Sequence, residues 1–286
     1  MDVHFCGVRG STPAPGMPFV RYGGHTSSVA IAHDGARPTL VLDGGTGLRA
    51  VTPLLGGQPF DGSILLGHLH WDHVHGLPFF KGGGAKGSRV EVLLPAPDGD
   101  PVETLARGMS PPHFPIGPQL LGPGWTFNGL REGTFLAEGF SVLAREIPHK
   151  GGQTFGFRVS DGRASIAYLS DHAPLYIGPG ADGQGELHDA ALELATDVDL
   201  LIHDAQFVAD EFPAVGYLGH ASVEYAIGLA RAAGARSVAL FHHSPERTDT
   251  EIDEIVRDRL PTDLHVFAAA EGIVVPLQPA EASAQS

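Results

Sequence analysis

The sequence predicts an α/β fold in which two mixed β-sheets face each other and helices cover their outer faces. The 286-residue chain is long enough to bury a large core, and its 39 glycines and 23 prolines divide it into short elements. Predicted strands follow one another in the first half, whereas strands alternate with helices in the second half. We expect one domain over residues 1–278, with halves at about 1–145 and 146–278, and a flexible small-residue tail at 279–286.

The first half consists mainly of apolar or β-branched segments bounded by Gly, Pro or Asp, which is the pattern of strands. A short helix is expected at Thr46–Leu55 and another at Pro101–Arg107. Ser110–Gly124 is rich in Pro and Gly and is expected to be an irregular loop. The predicted strands are Val3–Val8, Ser28–Ala32, Thr39–Leu42, Ser63–Gly67 and Arg89–Leu94.

The second half contains the amphipathic segments. In Ser222–Ala233 the apolar residues recur at helical spacing, and Ser222 suits the N-cap position. Helices are also expected at Leu187–Ala195 and Thr250–Arg259. The predicted strands are Phe140–Ile147, Thr154–Val159, Ser165–Leu169, Leu200–His203, Ser237–Phe241 and Gly272–Val275.

Composition and charge limit the possible classes of function. The chain is 42% hydrophobic and 18% charged, which is typical of a globular protein. Its 18 basic and 33 acidic residues give a formal charge of −15, so duplex nucleic acid is not expected as a partner. No segment has the pattern of a membrane span or a signal peptide, and the single cysteine, Cys6, suits a reducing compartment. We therefore expect a cytoplasmic protein without a membrane partner.

Segment 68–73, His-Leu-His-Trp-Asp-His, is the strongest motif in the chain. In an extended segment His68 and His70 point to the same side, because successive side chains alternate. A reversal of the chain within the segment would then bring Asp72 and His73 around a second centre. Imidazole nitrogens and carboxylate oxygens are ligands that zinc takes in proteins, so the motif predicts a metal site.

This segment resembles the His-x-His-x-Asp-His signature of the metallo-β-lactamase superfamily, and the resemblance extends over nearly the whole chain. His149, Asp171 and His242 each follow a predicted strand and match the later ligand positions of that family. The resemblance implies a four-layer αββα sandwich, two divalent cations and a hydrolytic activity.

The resemblance also implies how seven side chains divide between the two cations. Asp171 would lie between the cations, and His243 is an alternative to His242 as the last ligand. Asp43 would contact one of the ligating histidines. Zinc is the expected metal, with manganese or iron(II) as alternatives. One cation would be held by His68, His70 and His149, and the other by Asp72, His73 and His242.

Two further segments resemble the phosphodiesterase branch of this superfamily, which includes ribonuclease Z and bacterial cyclic-nucleotide phosphodiesterases. They are Gly-His-Ala-Ser around His220 and His-Asp-Ala around Asp204. In that branch the carboxylate orients the histidine, which binds phosphate or protonates the leaving oxygen. The implied mechanism is attack on phosphorus by a metal-bound hydroxide that Asp72 and Asp171 orient, with His220 protonating the departing alcohol.

The substrate is expected to be a small phosphodiester such as a cyclic nucleotide. Ribonuclease Z carries a long arm for tRNA between its third and fourth motifs, and His149 and Asp171 are too close in this sequence to accommodate one. The alternatives are a thioester or lactone hydrolase similar to glyoxalase II, an oxygenase with a single iron, and a non-catalytic metal-binding protein.

The Ser110–Gly124 loop has two interpretations. Loops of this length in compact proteins are commonly functional, which favours a wall or lid of the site. The alternative is an ordinary surface loop or a homodimer contact. The residues expected to take part are Met109, His113, Phe114 and Trp125.

Overall fold

The computed structural model describes residues 1–97 and 99–277 and contains two seven-stranded mixed β-sheets that pack face to face. Helices cover the outer faces, so the predicted four-layer α/β sandwich is confirmed. The expected tail at 279–286 lies outside the described residues, and the single domain over 1–278 stays a prediction. Within the described ranges, no helix has both the length and the apolar character needed to span a bilayer.

The first sheet has the strand order β14-β1-β2-β3-β4-β5-β6. Pairing is antiparallel from β14 to β3 and parallel from β3 to β6. Its strands are β1 (Asp2–Gly7), β2 (Ser28–Ala32), β3 (Leu40–Leu42), β4 (Asp61–Leu65), β5 (Arg89–Pro95), β6 (Trp125–Leu130) and β14 (Val274–Pro276).

The second sheet has the order β13-β12-β11-β10-β9-β8-β7. Pairing is parallel from β13 to β10 and antiparallel from β10 to β7. Its strands are β7 (Gly133–Ala137), β8 (Phe140–Glu146), β9 (Phe155–Ser160), β10 (Ser165–Leu169), β11 (Leu200–Asp204), β12 (Ser237–Phe241) and β13 (His265–Ala268).

The helices are short except for α7 and α8. Ser222 caps α7 by accepting a hydrogen bond from the Tyr225 amide, and Gly234 ends it in the left-handed conformation with φ of 72°. A 3-10 turn at Thr46–Ala50 leads into α1. The helices are α1 (Val51–Leu54), α2 (Trp71–Val74), α3 (Lys81–Gly84), α4 (Pro101–Ala106), α5 (Asp189–Ala195), α6 (Phe212–Val215), α7 (Val223–Ala233) and α8 (Asp249–Arg259).

The core lies in three apolar layers, one between the sheets and one beneath the helices of each outer face. Phe5 of the first sheet meets Phe241 of the second with ring centroids 6.2 Å apart, and Tyr168 lies 5.6 Å from Phe241. Burial of such large rings supplies much of the free energy that holds two sheets together. The sheets therefore form a rigid frame for the loops at their edges.

The predicted strands begin and end within two residues of the observed ones, and so do the predicted helices except Thr46–Leu55. In that segment Thr46–Ala50 is a 3-10 helix and only Val51–Leu54 is α-helical. Gly67 lies outside β4 because its amide donates to the Asp43 carboxylate, at 2.8 Å, rather than to the sheet. Strands β6, β7 and β13 were not predicted. Each lies at or near an edge of its sheet and has exposed or half-buried residues, so its sequence lacks the apolar run of a buried strand.

The topology brings the carboxyl ends of several parallel strands to one side of the sandwich. Strands β3 and β4 are parallel neighbours in the first sheet, and β10, β11 and β12 are parallel neighbours in the second. The carboxyl ends of parallel strands meet at the same edge of a sheet, where ligands commonly bind in α/β proteins. The residues that follow these strands are those that the sequence singled out.

Candidate metal centre

Segment 68–73 reverses direction through one turn of helix. His70 keeps an extended backbone, with φ of −64° and ψ of 154°, and is the N-cap of α2. Asp72 and His73 lie inside α2 and are buried, while His68 precedes the turn and is also buried. This reversal is the one that the motif predicted, and it directs all four polar side chains toward one region.

The first group contains three histidines from two segments. One ring nitrogen from each of His68, His70 and His149 lies within 4.8 Å of the others. The Nε2 atom of His149 is 3.3 Å from Nδ1 of His70. Nδ1 of His149 donates to the Gly219 carbonyl at 2.8 Å, which leaves Nε2 as an acceptor directed into the group. A neutral imidazole with a fixed tautomer is the form that binds a metal.

The second group contains Asp72, His73, Asp171 and His242, again with one ligand atom from each within 4.8 Å of the others. Nε2 of His73 is 3.2 Å from Oδ2 of Asp72, and Nε2 of His242 is 3.1 Å from the same oxygen. All four residues are buried. The structure thus brings together the seven predicted residues in the predicted two sets, and their role as metal ligands remains a prediction.

Asp171 lies between the two groups. Its Oδ1 atom is 3.5 Å from Nε2 of His149 and 3.8 Å from Nε2 of His68. Its Oδ2 atom is 3.0 Å from Nε2 of His73 and 3.4 Å from Nε2 of His242. Each carboxylate oxygen therefore faces a different group, which is the arrangement a bridging ligand requires.

Asp43 supports the centre from beneath. It follows β3, is fully buried and has a φ of 62°, a conformation that Asp and Asn adopt more readily than most residues. His73 donates from Nδ1 to Asp43 at 2.7 Å, and Tyr168 and Ser170 donate hydroxyl hydrogen bonds at 2.8 and 3.1 Å. Asp43 thereby fixes the tautomer of His73 and points its Nε2 into the second group.

The charges in the centre are strongly coupled. Burial lowers the pKa of the His68 imidazole well below its usual value, and the neighbouring His73 lowers it further. Burial alone would raise the pKa of Asp171, but His242 and His73 hold that pKa well below its usual value. Asp171 is therefore ionised beside a neutral His68, as metal binding needs. Burial acts to lower the pKa of His73, but Asp72, Asp171 and Asp43 raise that pKa well above its usual value.

The donor set fits divalent cations. Both ring nitrogens of His68 are buried and make no hydrogen bond to any of the described residues. A buried polar group without a partner costs free energy, so such an atom points to a partner that protein atoms do not supply. Nitrogen and carboxylate donors suit zinc best and also accept manganese or iron(II).

His220 and Asp204 form a pair beside the two groups. Nδ1 of His220 is 3.0 Å from Oδ2 of Asp204. The same oxygen accepts a hydrogen bond from the His172 amide at 3.2 Å, and Oδ1 of Asp204 accepts one from the Gln206 amide at 3.0 Å. Burial acts to lower the pKa of His220, but the Asp204 carboxylate raises that pKa to about 9. His220 also lies within 4.8 Å of His149 and Asp171, so its position alone is compatible with metal binding too.

His242 and His243 occupy different environments. His242 has a φ of 56° and turns its Nε2 into the second group. His243 is buried and donates from Nε2 to the Ala269 carbonyl at 2.9 Å. The described structure thus assigns His243 a structural contact and leaves His242 in the cluster.

The Ser110–Gly124 loop and the residue before it form part of a cavity wall next to α2. Met109, His113 and Phe114 line this cavity. Trp125 instead packs in the core of the first sheet, and its indole donates to the Gly83 carbonyl at 2.9 Å. Met109, His113 and Phe114 thus line a cavity that includes none of the proposed ligands, and Trp125 does not line it. The role of the loop as a wall or lid of the site, like the homodimer contact, stays a prediction.

Sequence reasoning missed several residues that position the site. Tyr168 and Ser170 hold Asp43, and the Gly219 carbonyl holds His149. Tyr168 lies near the end of β10 and Ser170 directly follows that strand, just before Asp171. A hydroxyl residue at the end of a buried strand is the sequence signal that could have identified them. The Gly219 contact involves a backbone atom, so no side chain could reveal it.

The sandwich carries histidines and carboxylates at one edge, and these are the donors of a candidate metal centre. A family model described as a β-lactamase superfamily domain matches residues 39–243, which include all seven predicted ligands. The chain therefore belongs to the β-lactamase superfamily, in the branch that has the metallo-β-lactamase fold. Within this superfamily its relatives by sequence include ribonuclease Z proteins.

Three comparisons illustrate the relationship. Ribonuclease Z of Listeria monocytogenes serotype 4b is 27% identical over 225 residues, covering 63% of this chain and 70% of that protein. The metallo-β-lactamase fold protein YhfI of Bacillus subtilis superposes with a TM-score of 0.70 at 19% identity, covering 96% of this chain and 99% of that one. A diphosphatase of the PhnP family gives a TM-score of 0.69 at 18% identity, covering 97% and 98%. These two structural likenesses show the shared fold.

Proposed function

We propose that this chain hydrolyses small phosphodiesters at a centre of two divalent cations, most favourably zinc. The observation that carries the proposal is the position of Asp171, whose two carboxylate oxygens face two separate groups of donors. When bound, the cations would lower the pKa of a water molecule to supply a hydroxide nucleophile and would stabilise charge on the phosphoryl oxygens.

The geometry of the two groups supports the proposed ligand assignment. Asp171 would contact both cations, and Asp72 would contribute an oxygen close to both His73 and His242. One cation would be held by His68, His70 and His149, and the other by Asp72, His73 and His242.

His220 is the proposed general acid. Asp204 accepts a hydrogen bond from its Nδ1, so Nε2 is the nitrogen left to meet the substrate. The two backbone amides that bind Asp204 hold this carboxylate in place, and the pair thereby holds a proton near the phosphate-binding region. The departing alcohol takes that proton as its bond to phosphorus breaks.

The names of the relatives support phosphodiester chemistry but leave the substrate to be determined. Ribonuclease Z, as its name states, is a nuclease that acts on RNA, so the comparison does not support the expectation that duplex nucleic acid is excluded as a partner. The formal charge of −15 and the short span from His149 to Asp171 favour a small diester instead.

The first experiment measures metal content and hydrolysis together. The panel contains 2′,3′- and 3′,5′-cyclic nucleotides, bis(p-nitrophenyl) phosphate, a precursor tRNA, a lactone and a thioester. We expect two zinc equivalents and preference for the small diesters. A tenfold preference for the lactone or thioester would replace the proposal with an acyl hydrolase, and cleavage of only the tRNA would contradict the small substrate.

The second experiment tests His220 against a matched histidine. His220→Ala should lower kcat by about 10²–10⁴-fold with unchanged metal content, which is the range for loss of general acid catalysis. His265→Ala is the control, because His265 is exposed and pairs with Ser237 at the opposite, amino end of β12. Loss of a metal equivalent in His220→Ala would show that His220 is a ligand and not the acid.

A further inference from the structure

A cavity of about 1090 Å³ adjoins the candidate metal centre. Its walls come from α2 and α3, the turn between them, and the residues around Met109. Leu69 and Trp71 line the cavity, whereas their chain neighbours His70 and Asp72 belong to the two donor groups. The cavity and the centre therefore border the same short segment, although none of the seven proposed ligands lines the cavity.

The cavity presents aromatic rings to solvent. Trp71 is 68% exposed and Phe79 is 56% exposed, although both are large apolar side chains. Phe114 meets Phe79 edge to face with ring centroids 6.0 Å apart, and Trp71 stacks on His75 at 5.4 Å. Exposed rings that converge on one cavity are typical of a binding site for another planar group, since a stacked ring covers apolar area on both partners.

The cavity is also positively charged in a strongly acidic protein. None of its lining residues is Asp or Glu, whereas Arg49 and Lys81 both line it. The same two cations line a second cavity of about 360 Å³ that shares Phe79 with the first. Neither cation forms an ion pair with a carboxylate of the described chain, although the formal net charge is −15. Both side chains are exposed, so they can meet an anionic ligand bound in the cavity.

We propose that this cavity binds an aromatic group of the substrate that carries a second anion, as a nucleotide with an additional phosphate does. The ring packs against Trp71 and Phe79, and the second anion meets Arg49 and Lys81 where the two cavities join. The diester of the same molecule would extend past the exposed Trp71 side chain to the donor groups. This assignment rests on the proposed function, because it places the reacting diester at the metal centre.

An unbranched apolar chain would use the rings but would leave both cations without a partner. A small anion without a ring would leave most of the cavity volume unfilled. The aromatic anion is the ligand that satisfies both the rings and the cations. These two alternatives are therefore outcomes that the experiment must be able to reveal.

Binding is measured first, without hydrolysis, by titrating the metal-loaded protein with adenosine 3′,5′-bisphosphate. This probe has a planar base and two anions but no diester. We expect saturable quenching of tryptophan fluorescence that disappears in Trp71→Phe, and a Kd increase of about 5- to 100-fold in Trp71→Ala, the range for losing one stacked base. Quenching that survives in Trp71→Phe would overturn the placement of the ring.

The cations are tested with charge-matched controls. Arg49→Gln and Lys81→Gln should each raise the Kd of the bisphosphate by about tenfold, as loss of a charge-assisted hydrogen bond does. Arg107→Gln and Lys86→Gln remove exposed cations that do not line the cavity and should leave the Kd unchanged. Equal increases in Kd in all four variants would show that binding depends only on the overall charge of the protein and would overturn the role of Arg49 and Lys81. Tighter binding of decanoate than of the bisphosphate would show that the cavity prefers an apolar chain to an aromatic anion.

Hydrolysis then separates this inference from the proposed function. The 5′-phosphorylated adenosine 2′,3′-cyclic phosphate should have a kcat/KM about tenfold above that of the unphosphorylated compound, and Arg49→Gln should abolish the difference. Hydrolysis of diesters without any effect of Arg49 or Trp71 would overturn the cavity assignment alone. Saturable binding without hydrolysis of any diester would overturn the proposed function and retain the cavity as a nucleotide site.

Discussion

Gly10 lies directly against the proposed ligand His242, and replacing it with alanine should loosen one metal site. A Cβ atom built on Gly10 would be 2.4 Å from Nδ1 of His242 and 2.6 Å from Oε1 of Gln206. Ordinary contact begins at about 3.4 Å, so the imidazole would have to move by about 1 Å. Gly10 does not have a positive φ, which makes the effect of the extra methyl group steric.

A movement of this size is large for a metal ligand. Metal–ligand distances hold to within about 0.2 Å, so the shift would remove His242 from an ideal position. We expect Gly10→Ala to lower the affinity of one metal equivalent by about 10- to 100-fold, comparable to the loss of a residue that orients a ligand. Overpacking should also cost about 1–3 kcal/mol in the free energy of unfolding of the metal-free protein.

The assay is metal content after dialysis against a graded chelator, together with thermal unfolding of the metal-free protein. Gly228→Ala is the matched control, because Gly228 is an exposed interior residue of α7 with no atom within 4 Å of the added methyl. The control should bind metal normally and gain about 0.5–1 kcal/mol in stability. Two equivalents held by Gly10→Ala with wild-type affinity would show that the donor positions do not bind metal as assigned.

Three further predictions concern other parts of the centre and the core. Asp43→Asn keeps a residue that tolerates the φ of 62° but removes the charge, and metal affinity in a chelator titration should fall by about 10- to 100-fold; unchanged affinity would contradict the role of Asp43. Burial raises the pKa of the Cys6 thiol to about 12, so at pH 8 the thiolate is scarce and a disulfide reagent should react quickly only in guanidinium chloride. Rapid reaction of the folded protein would refute this. Chelation of the metals should lower Tm reversibly, because the cations bind the folded state alone, and an unchanged Tm would count against binding at this site.

Local pattern was enough to predict most of the fold. Strand Ser237–Phe241 and helix α7 have apolar periodicity and clear end signals such as the Ser222 cap, so their limits follow from the sequence. The limits of the edge strands β6 and β13 do not follow from the sequence, because pairing with a neighbouring strand stabilises them more than their own residues do. Their formation depends on contacts made only after the sheet exists.

The candidate site likewise contains some residues that the sequence indicates and others whose positions depend on tertiary packing. His68 and Asp72 stand in one short segment whose spacing is informative, whereas His149, Asp171 and His242 were implied only by the resemblance to the metallo-β-lactamase superfamily. The central position of Asp43, which is held by Tyr168 from the opposite sheet, depends on packing between residues far apart in the chain. The cavity beside Trp71 is likewise lined by Met109, His113 and Phe114, which the sequence singled out but could not place against α2.

The two sheets contribute their donors separately, and this has a mechanical consequence. Segment 68–73 extends from the first sheet, whereas His149, Asp171 and His242 extend from the second. Bound cations would therefore cross-link the two sheets, and neither half of the polypeptide would supply a complete set of ligands by itself. At a free cation concentration one hundred times Kd, each bound cation would add about 2.7 kcal/mol to the free energy of unfolding.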